Sequence, residues 1–173
     1  MQIRKHLPLV AIAILALSNI MCGFGAFDYY SDRFTRTKPE IGEFSGDYYP
    51  TEATLKLITE IGKYNIRDSK ITLSPDGSFE VLDMPDWWLI AYEKESGGFL
   101  SGKGEWTFSQ QPDWWEVVFT FKNVSSSTLP YYQKGFGAWV SISGEESPYS
   151  LLFFIGNPDT ARVMIFQQAE VKP

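Results

Sequence analysis

The stretch Gly102–Lys122 reads GKGEWTFSQQPDWWEVVFTFK, two runs of alternating character around a polar turn. In Trp106-Thr107-Phe108 and in Trp115-Glu116-Val117-Val118-Phe119-Thr120-Phe121, bulky apolar side chains recur at every second position. That spacing puts them on one face of a pleated strand, and aromatic and β-branched residues suit such a half-buried surface. Gln110, Gln111, Pro112 and Asp113 supply turn chemistry between the runs. Paired as a hairpin, the runs place Trp106, Phe108, Trp115, Val117, Phe119 and Phe121 on one face, with Glu105, Thr107, Glu116 and Thr120 on the other. This is the centre of a sheet with one wet side.

The same pattern extends in both directions. Lys70–Leu73 and Ser78–Val81 flank Ser74-Pro75-Asp76-Gly77, where Pro sets φ at the second turn position and Gly accepts a positive φ at its end. Three further apolar runs follow the central hairpin: Gly137–Ser143, Ser150–Ile155 and Arg162–Gln167, separated by the turn sequences at 144–148 and 157–160. Gly42–Tyr49 reads as a first short strand. Thr51–Gly62 departs from this pattern, because Leu55, Ile58 and Ile61 recur at helical spacing behind a Thr51 N-cap. Seven or eight short strands without βαβ alternation predict a mostly β domain. The expected topology is an antiparallel meander, either a curled sheet or a lipocalin-like barrel, with one short helix. Leu151–Ile155 is apolar on both faces and needs a cover, which the 51–62 helix is expected to provide. Asp83–Ser101 is left as a long connection rich in tryptophan.

Charge and residue counts narrow the function by exclusion. The 173 residues carry a formal charge of −6; loss of the first 21 residues would leave 13 basic against 21 acidic residues, formally −8. Such a surface suits neither nucleic acid nor anionic lipid headgroups. His6 is the only histidine and Cys22 the only cysteine. Both lie in an N-terminal segment where Arg4, Lys5 and His6 precede the uncharged run Leu7–Met21, LPLVAIAILALSNIM. A chain processed there has no imidazole, so Ser-His-Asp catalysis, Cys-His catalysis and Cys/His zinc sites are not expected. Residues 1–27 are read as a signal peptide or membrane anchor, with three fates open: cleavage after Ala16-Leu17-Ser18, lipidation at Cys22, or retention as an anchor. Each places the remainder outside the cytoplasm. A buried N-terminal helix is the bland alternative. Residues 28–41 read as a tether and residues 42–173 as a single domain. Membrane contact is expected only through the N-terminal segment.

Pro-Asp-Trp-Trp occurs twice, at Pro85–Trp88 and Pro112–Trp115, in flanks that do not match. Adjacent tryptophans on a strand point to opposite faces, so one of each pair meets solvent, a ligand or a covering loop. The candidate ligand-binding residues are therefore Trp87, Trp88, Tyr92 and Trp114 as an aromatic platform, with Asp86 and Asp113 as hydrogen-bond acceptors. The plainer reading is that the loop over 83–101 folds back and its tryptophans close the mouth of the sheet. Catalysis without histidine would need carboxylates. Glu105 and Glu116 are candidates if they face each other across the hairpin, although acidic residues on a wet face are usually just solvated. Asp76, Asp159 and Glu145-Glu146 sit in turns, where carboxylates cap backbone groups, and show no EF-hand spacing. No metal or cofactor is expected.

Three short motifs occur in order. Leu73-Ser74-Pro75-Asp76-Gly77-Ser78-Phe79 resembles an L-x-x-D-G-T-F pattern, Ser101-Gly102-Lys103-Gly104-Glu105-Trp106 an S-G-x-G-T-W pattern, and Phe154-Ile155-Gly156-Asn157-Pro158-Asp159 an F-x-G-D-P-D pattern. Together they resemble an uncharacterised family of small secreted or lipoprotein-like bacterial β proteins, with Glu105 and Asn157 departing from the pattern. The resemblance implies a lipocalin-like fold and an exported location, and it brings no activity. The expected function is a non-enzymatic cell-envelope binding module for an apolar or carbohydrate ligand. A protein-interaction or immunity-type envelope protein is the alternative, and a carboxylate-based hydrolase ranks third.

Overall fold

The computed structural model describes residues 30–62, 68–89, 98–126, 135–156 and 162–170. Eight strands form a closed antiparallel barrel in which each pairs with its sequence neighbours. They are β1 Gly46–Pro50, β2 Lys70–Leu73, β3 Ser78–Pro85, β4 Phe99–Gln110, β5 Trp115–Ser126, β6 Phe136–Ser143, β7 Ser150–Phe154 and β8 Val163–Gln168. β8 closes on β1 through Tyr48↔Gln168, Tyr49↔Gln167 and Pro50↔Phe166. The architecture is lipocalin-like, as the alternation predicts.

The central hairpin puts the expected residues on its inner face, in a register with Trp106 opposite Phe119 and Phe108 opposite Val117. Alternate residues of every strand point inward, among them Ile71, Val81, Val117, Phe119, Val140, Leu151 and Phe166, all at most 2% exposed. Eight strands enclose a lumen about as wide as two facing layers of side chains, and here those side chains fill it. On β4 the inward positions between Leu100 and Trp106 are Gly102 and Gly104. A Cβ on Gly104 would stand 1.9 Å from the Thr120 carbonyl oxygen. The space goes to three rings, with Phe79 edge-on to Phe119 and to Phe121 at 4.8 Å each.

The two ends close differently. At the end carrying the short β2–β3, β4–β5 and β6–β7 turns, Phe44 plugs the barrel against Trp106, Phe108 and Tyr149. Phe44 ends a single helical turn, α1 Ile41–Phe44, and β1 starts two residues later at Gly46, whose φ of 142° favours glycine. The expected strand over 42–49 is thus a helical turn followed by a strand. At the other end lies α2, Glu52–Gly62. Thr51 caps it by accepting the Thr54 amide at 3.3 Å, and Ile58 enters the core. Thr54 Oγ1 accepts the Ile165 amide at 2.7 Å and donates to the Ile165 carbonyl at 3.0 Å, fixing the helix to β8.

Two further expectations change. The stretch from residue 30 to 36, expected within a tether, is part of the barrel wall. Thr35 takes the Trp115 amide at 2.9 Å and gives its own to Ile142 at 3.0 Å, while the Gly144 amide reaches the Arg33 carbonyl at 3.2 Å. Residues 33–35 thus wedge between β5 and β6 where those strands part. The cover on β7 also differs: Phe34, 1% exposed, seals the outer face with Leu152 and Val163, flanked by Tyr30, Trp114 and Phe154. α2 instead packs on β8 and β1. Tyr30 and Phe34, one helical turn apart, supply an apolar face that their polar neighbours obscure in the sequence.

Candidate binding groove

The register across the first three strands sets a row of outward side chains. Tyr48 pairs with Ile71 and both point inward, so Tyr49 and Lys70 stand side by side outside. Lys70 in turn faces Leu82. Past Val81 the strand bulges, so that Val81 and Met84 both point inward with Leu82 and Asp83 between them. Asp83 takes φ of +44° there, a conformation that Asp tolerates better than most residues. Its carbonyl accepts Ser69 Oγ at 2.5 Å and its amide donates to Ser101 Oγ at 3.0 Å. Ordinary alternation turns Leu82 to the outside opposite Lys70, and the bulge adds Asp83 before Met84 returns to the core.

Tyr49 and Leu82 are each 46% exposed. With Pro50 and Lys70 they floor a groove of about 440 Å³, walled by Leu55 of α2 and rimmed by Asp68 and Ser69. Asp47 holds Lys70 from beyond the groove's lining. Its carboxylate accepts Thr72 Oγ1 at 2.6 Å and pairs with Lys70 Nζ at 3.5 Å. The Thr72 hydroxyl first, and then Lys70, hold the Asp47 carboxyl below the usual carboxylate range. A second hollow of about 390 Å³ lies along the same wall, lined by polar side chains that include Glu80, Lys103 and Asn123.

The candidate tryptophans are not brought together. The two Pro-Asp-Trp-Trp copies sit at opposite ends of β4, whose 12 residues span roughly 40 Å at strand rise. In the first copy, Pro85 ends β3 opposite Phe99, and Asp86 is fully buried, its amide bonded to the Gly98 carbonyl and its carbonyl to the Leu89 amide. Trp88 packs edge-on to Phe153 at 5.0 Å against the core, with its indole N–H buried and without a hydrogen-bond partner among the described residues. In the second copy, Trp114 lies on the outer wall 5.6 Å from Phe34 and donates to Glu116 Oε1 at 3.3 Å. Trp115 faces inward beside Phe108. Asp113 is exposed, and its carbonyl accepts Arg36 Nη1 at 2.7 Å. Only the backbone of Trp87 is described, and Tyr92, His6 and Cys22 lie outside the described residues.

The carboxylate pair does not form. Glu105 pairs with Thr120 in the register, and Glu116 with Ser109, four residues along the strand. Glu105 meets Lys122, while Glu116 accepts Gln111 Nε2 at 2.8 Å. Asp76 Oδ1 accepts the Ser78 amide at 2.9 Å and its hydroxyl at 2.6 Å, holding its turn; Asp159 lies outside the described residues. Among the described residues no three His, Cys, Asp or Glu side chains gather as a metal site, and no helix is long and apolar enough to cross a membrane.

Sequence reasoning passed over the groove because its parts come from three strands and a helix, each contributing one or two ordinary residues. The signal that could have found it is Leu82, which breaks the alternation at Val81-Leu82-Asp83-Met84. Compared with protein-family models, curated proteins and solved structures, the chain matches none of them.

Proposed function

We propose that this protein is a non-enzymatic binding module of the cell envelope, exported by its N-terminal segment, that takes a small apolar ligand in the groove between α2 and β1–β3. The observation that carries this reading is the pair Tyr49 and Leu82, two large apolar side chains left nearly half exposed beneath Leu55. A soluble wall rarely leaves such side chains clustered in a concavity without use. The groove's volume lies within the range of small-molecule sites. An apolar ligand is favoured over a sugar because Pro50, Leu55 and Leu82 line the groove beside Tyr49, while the polar hollow farther along the wall has no exposed aromatic among its lining residues.

Titration with phenylnaphthylamine, an uncharged apolar fluorophore, tests the reading. The protein should enhance its emission, and Leu82→Glu should abolish the enhancement while leaving the melting temperature nearly unchanged, since Leu82 is outside the core. Equal binding by Leu82→Glu, or no binding by the unaltered protein, overturns the assignment. A protein partner is the second reading, and the 63% exposure of Trp139 favours it.

A further inference from the structure

The seam between β6 and β7 is shorter than the strands that form it. Its register comprises Ser141↔Leu152, Ile142↔Leu151 and Ser143↔Ser150, although β6 begins at Phe136 and β7 runs to Phe154. Above Ser141 the two strands part, and β7 stays with β8 through Phe154↔Val163.

The direction of the freed backbone groups follows from the strap. The Ile142 carbonyl accepts the Thr35 amide, and the Trp115 amide reaches the Thr35 carbonyl, so the even-numbered residues of β6 aim their N–H and C=O towards β5. Odd-numbered residues aim theirs towards β7. Ser141 and Ser143 meet β7; Gly137 and Trp139 direct theirs into the open part of the seam, where among the described residues no strand pairs with them. Trp139 stands outside this edge, 63% exposed, next to Val118 of β5 and leaning back towards Gly137.

We propose that the Gly137–Trp139 edge accepts an extended segment of a partner protein, uncharged or basic, as an added strand in the β6–β7 seam. The proposal does not depend on the groove. Two N–H and two C=O groups alternating at strand spacing are matched by an extended backbone, which repeats the same alternation. The barrel already uses this device once, since residues 33–35 fill the opposite end of the β5–β6 seam. Exposed edges are ordinarily blunted by charge or proline, and this one carries Gly, Ala and Trp. A second copy would bring another net charge of −6 to the same place, whereas a neutral or basic strand meets no such repulsion. An apolar side chain of the incoming strand would rest on Trp139.

The test uses a short synthetic peptide of alternating valine and threonine with lysine at each end, and the same peptide with alternate backbone nitrogens methylated. Amide exchange is followed residue by residue. In the free protein the Gly137 and Trp139 amides should exchange fast while Ala138 and Val140, which face β5, are protected. The peptide should slow Gly137 and Trp139 by about tenfold or more, and the methylated peptide should not. Gly137→Pro removes an N–H that no strand among the described residues pairs with, so it should fold and lose the peptide effect; Ala138→Pro removes a bond to β5 and should be strongly destabilised. Protection of Gly137 and Trp139 in the free protein at low concentration overturns the proposal. So does a peptide that leaves both amides unprotected, or a Gly137→Pro variant as unstable as Ala138→Pro. Protection that grows with protein concentration alongside a dimer mass replaces the foreign strand with a second copy.

Discussion

Truncating Phe34 to alanine separates a strap built into the wall from a tether that merely lies on it. The ring is 1% exposed, 5.6 Å from Trp114 and 6.5 Å from Phe154, and covers Leu152, which is 2% exposed. Removing it loses the transfer free energy of a buried phenyl group, roughly 2–3 kcal/mol. A void among Leu152, Val163 and Trp114 that relaxes only partly brings the total to about 3–4 kcal/mol. For a domain of this size that corresponds to a fall in melting temperature of roughly 10 °C. The strap has one escape that a central core residue lacks, because it can detach and leave the barrel folded. The Thr35 bonds to Ile142 and Trp115 oppose that escape, and detachment would re-expose Leu152 and Val163. Urea unfolding followed by tryptophan fluorescence gives the number, with Arg33→Ala as an exposed control expected within about 0.5 kcal/mol. A loss below about 0.5 kcal/mol for Phe34→Ala would refute the strap as a structural element. A full loss with a lower m-value would mean that the strap detaches before the barrel unfolds.

Gly104→Ala should cost about 3 kcal/mol or more, because its Cβ meets a backbone oxygen that cannot move without the β5 ladder; Gly42→Ala, with nothing within 4 Å of the added carbon, should be neutral or slightly stabilising in the same thermal melts. Thr54→Val should cost about 1–3 kcal/mol, since it leaves the Ile165 amide without the acceptor that fixes α2 to β8, and should show first as faster amide exchange in the helix. In alkali the protein should lose stability as the pH rises above about 10. Burial, and then the neighbouring Tyr149, push the Tyr48 phenol far above its ordinary value, so the unfolded chain releases a proton there that the folded one keeps. Tyr48→Phe should flatten that part of the pH profile at a cost near 1 kcal/mol for its bond to the Phe44 carbonyl. An unchanged alkaline slope would refute this account.

The strands were legible where side chains alternate and were not where glycine replaces them. Trp106–Phe108 and Trp115–Phe121 announce the central hairpin because every inward position carries a large apolar group. Ser101-Gly102-Lys103-Gly104 belongs to the same strand but carries no apolar alternation of its own, and glycine weakens a strand in isolation. Its role emerges only across the sheet, where Phe79, Phe119 and Phe121 need the volume that two missing side chains release. Gly42–Tyr49 failed for a related reason: Phe44 and Tyr48 both point to the core, but from a helical turn and a strand separated by a backbone conformation that favours glycine.

The candidate site illustrates a different limit. Pro85–Trp88 and Pro112–Trp115 are identical strings, yet one lays Trp88 on the core at Phe153 and the other crosses from the outer wall to the core. Neighbouring geometry decides between these roles. The first copy follows a strand end and enters a short 3-10 turn, so Trp88 swings over Phe153. The second opens β5, where alternation sends Trp114 out to Phe34 and Trp115 in to Phe108. Adjacent tryptophans thus bind the strap and the lumen to the same turn. Among the described residues, the aromatic side chains pack mainly within the barrel and on its outer wall under the strap. Among the described residues the large apolar side chains left bare are Ile41, Tyr49, Leu82 and Trp139; the three that form the groove and the strand edge, Tyr49, Leu82 and Trp139, are scattered through the sequence and meet no sequence motif, because a groove and a strand edge are properties of register. Register in a closed barrel is fixed by all eight strands together.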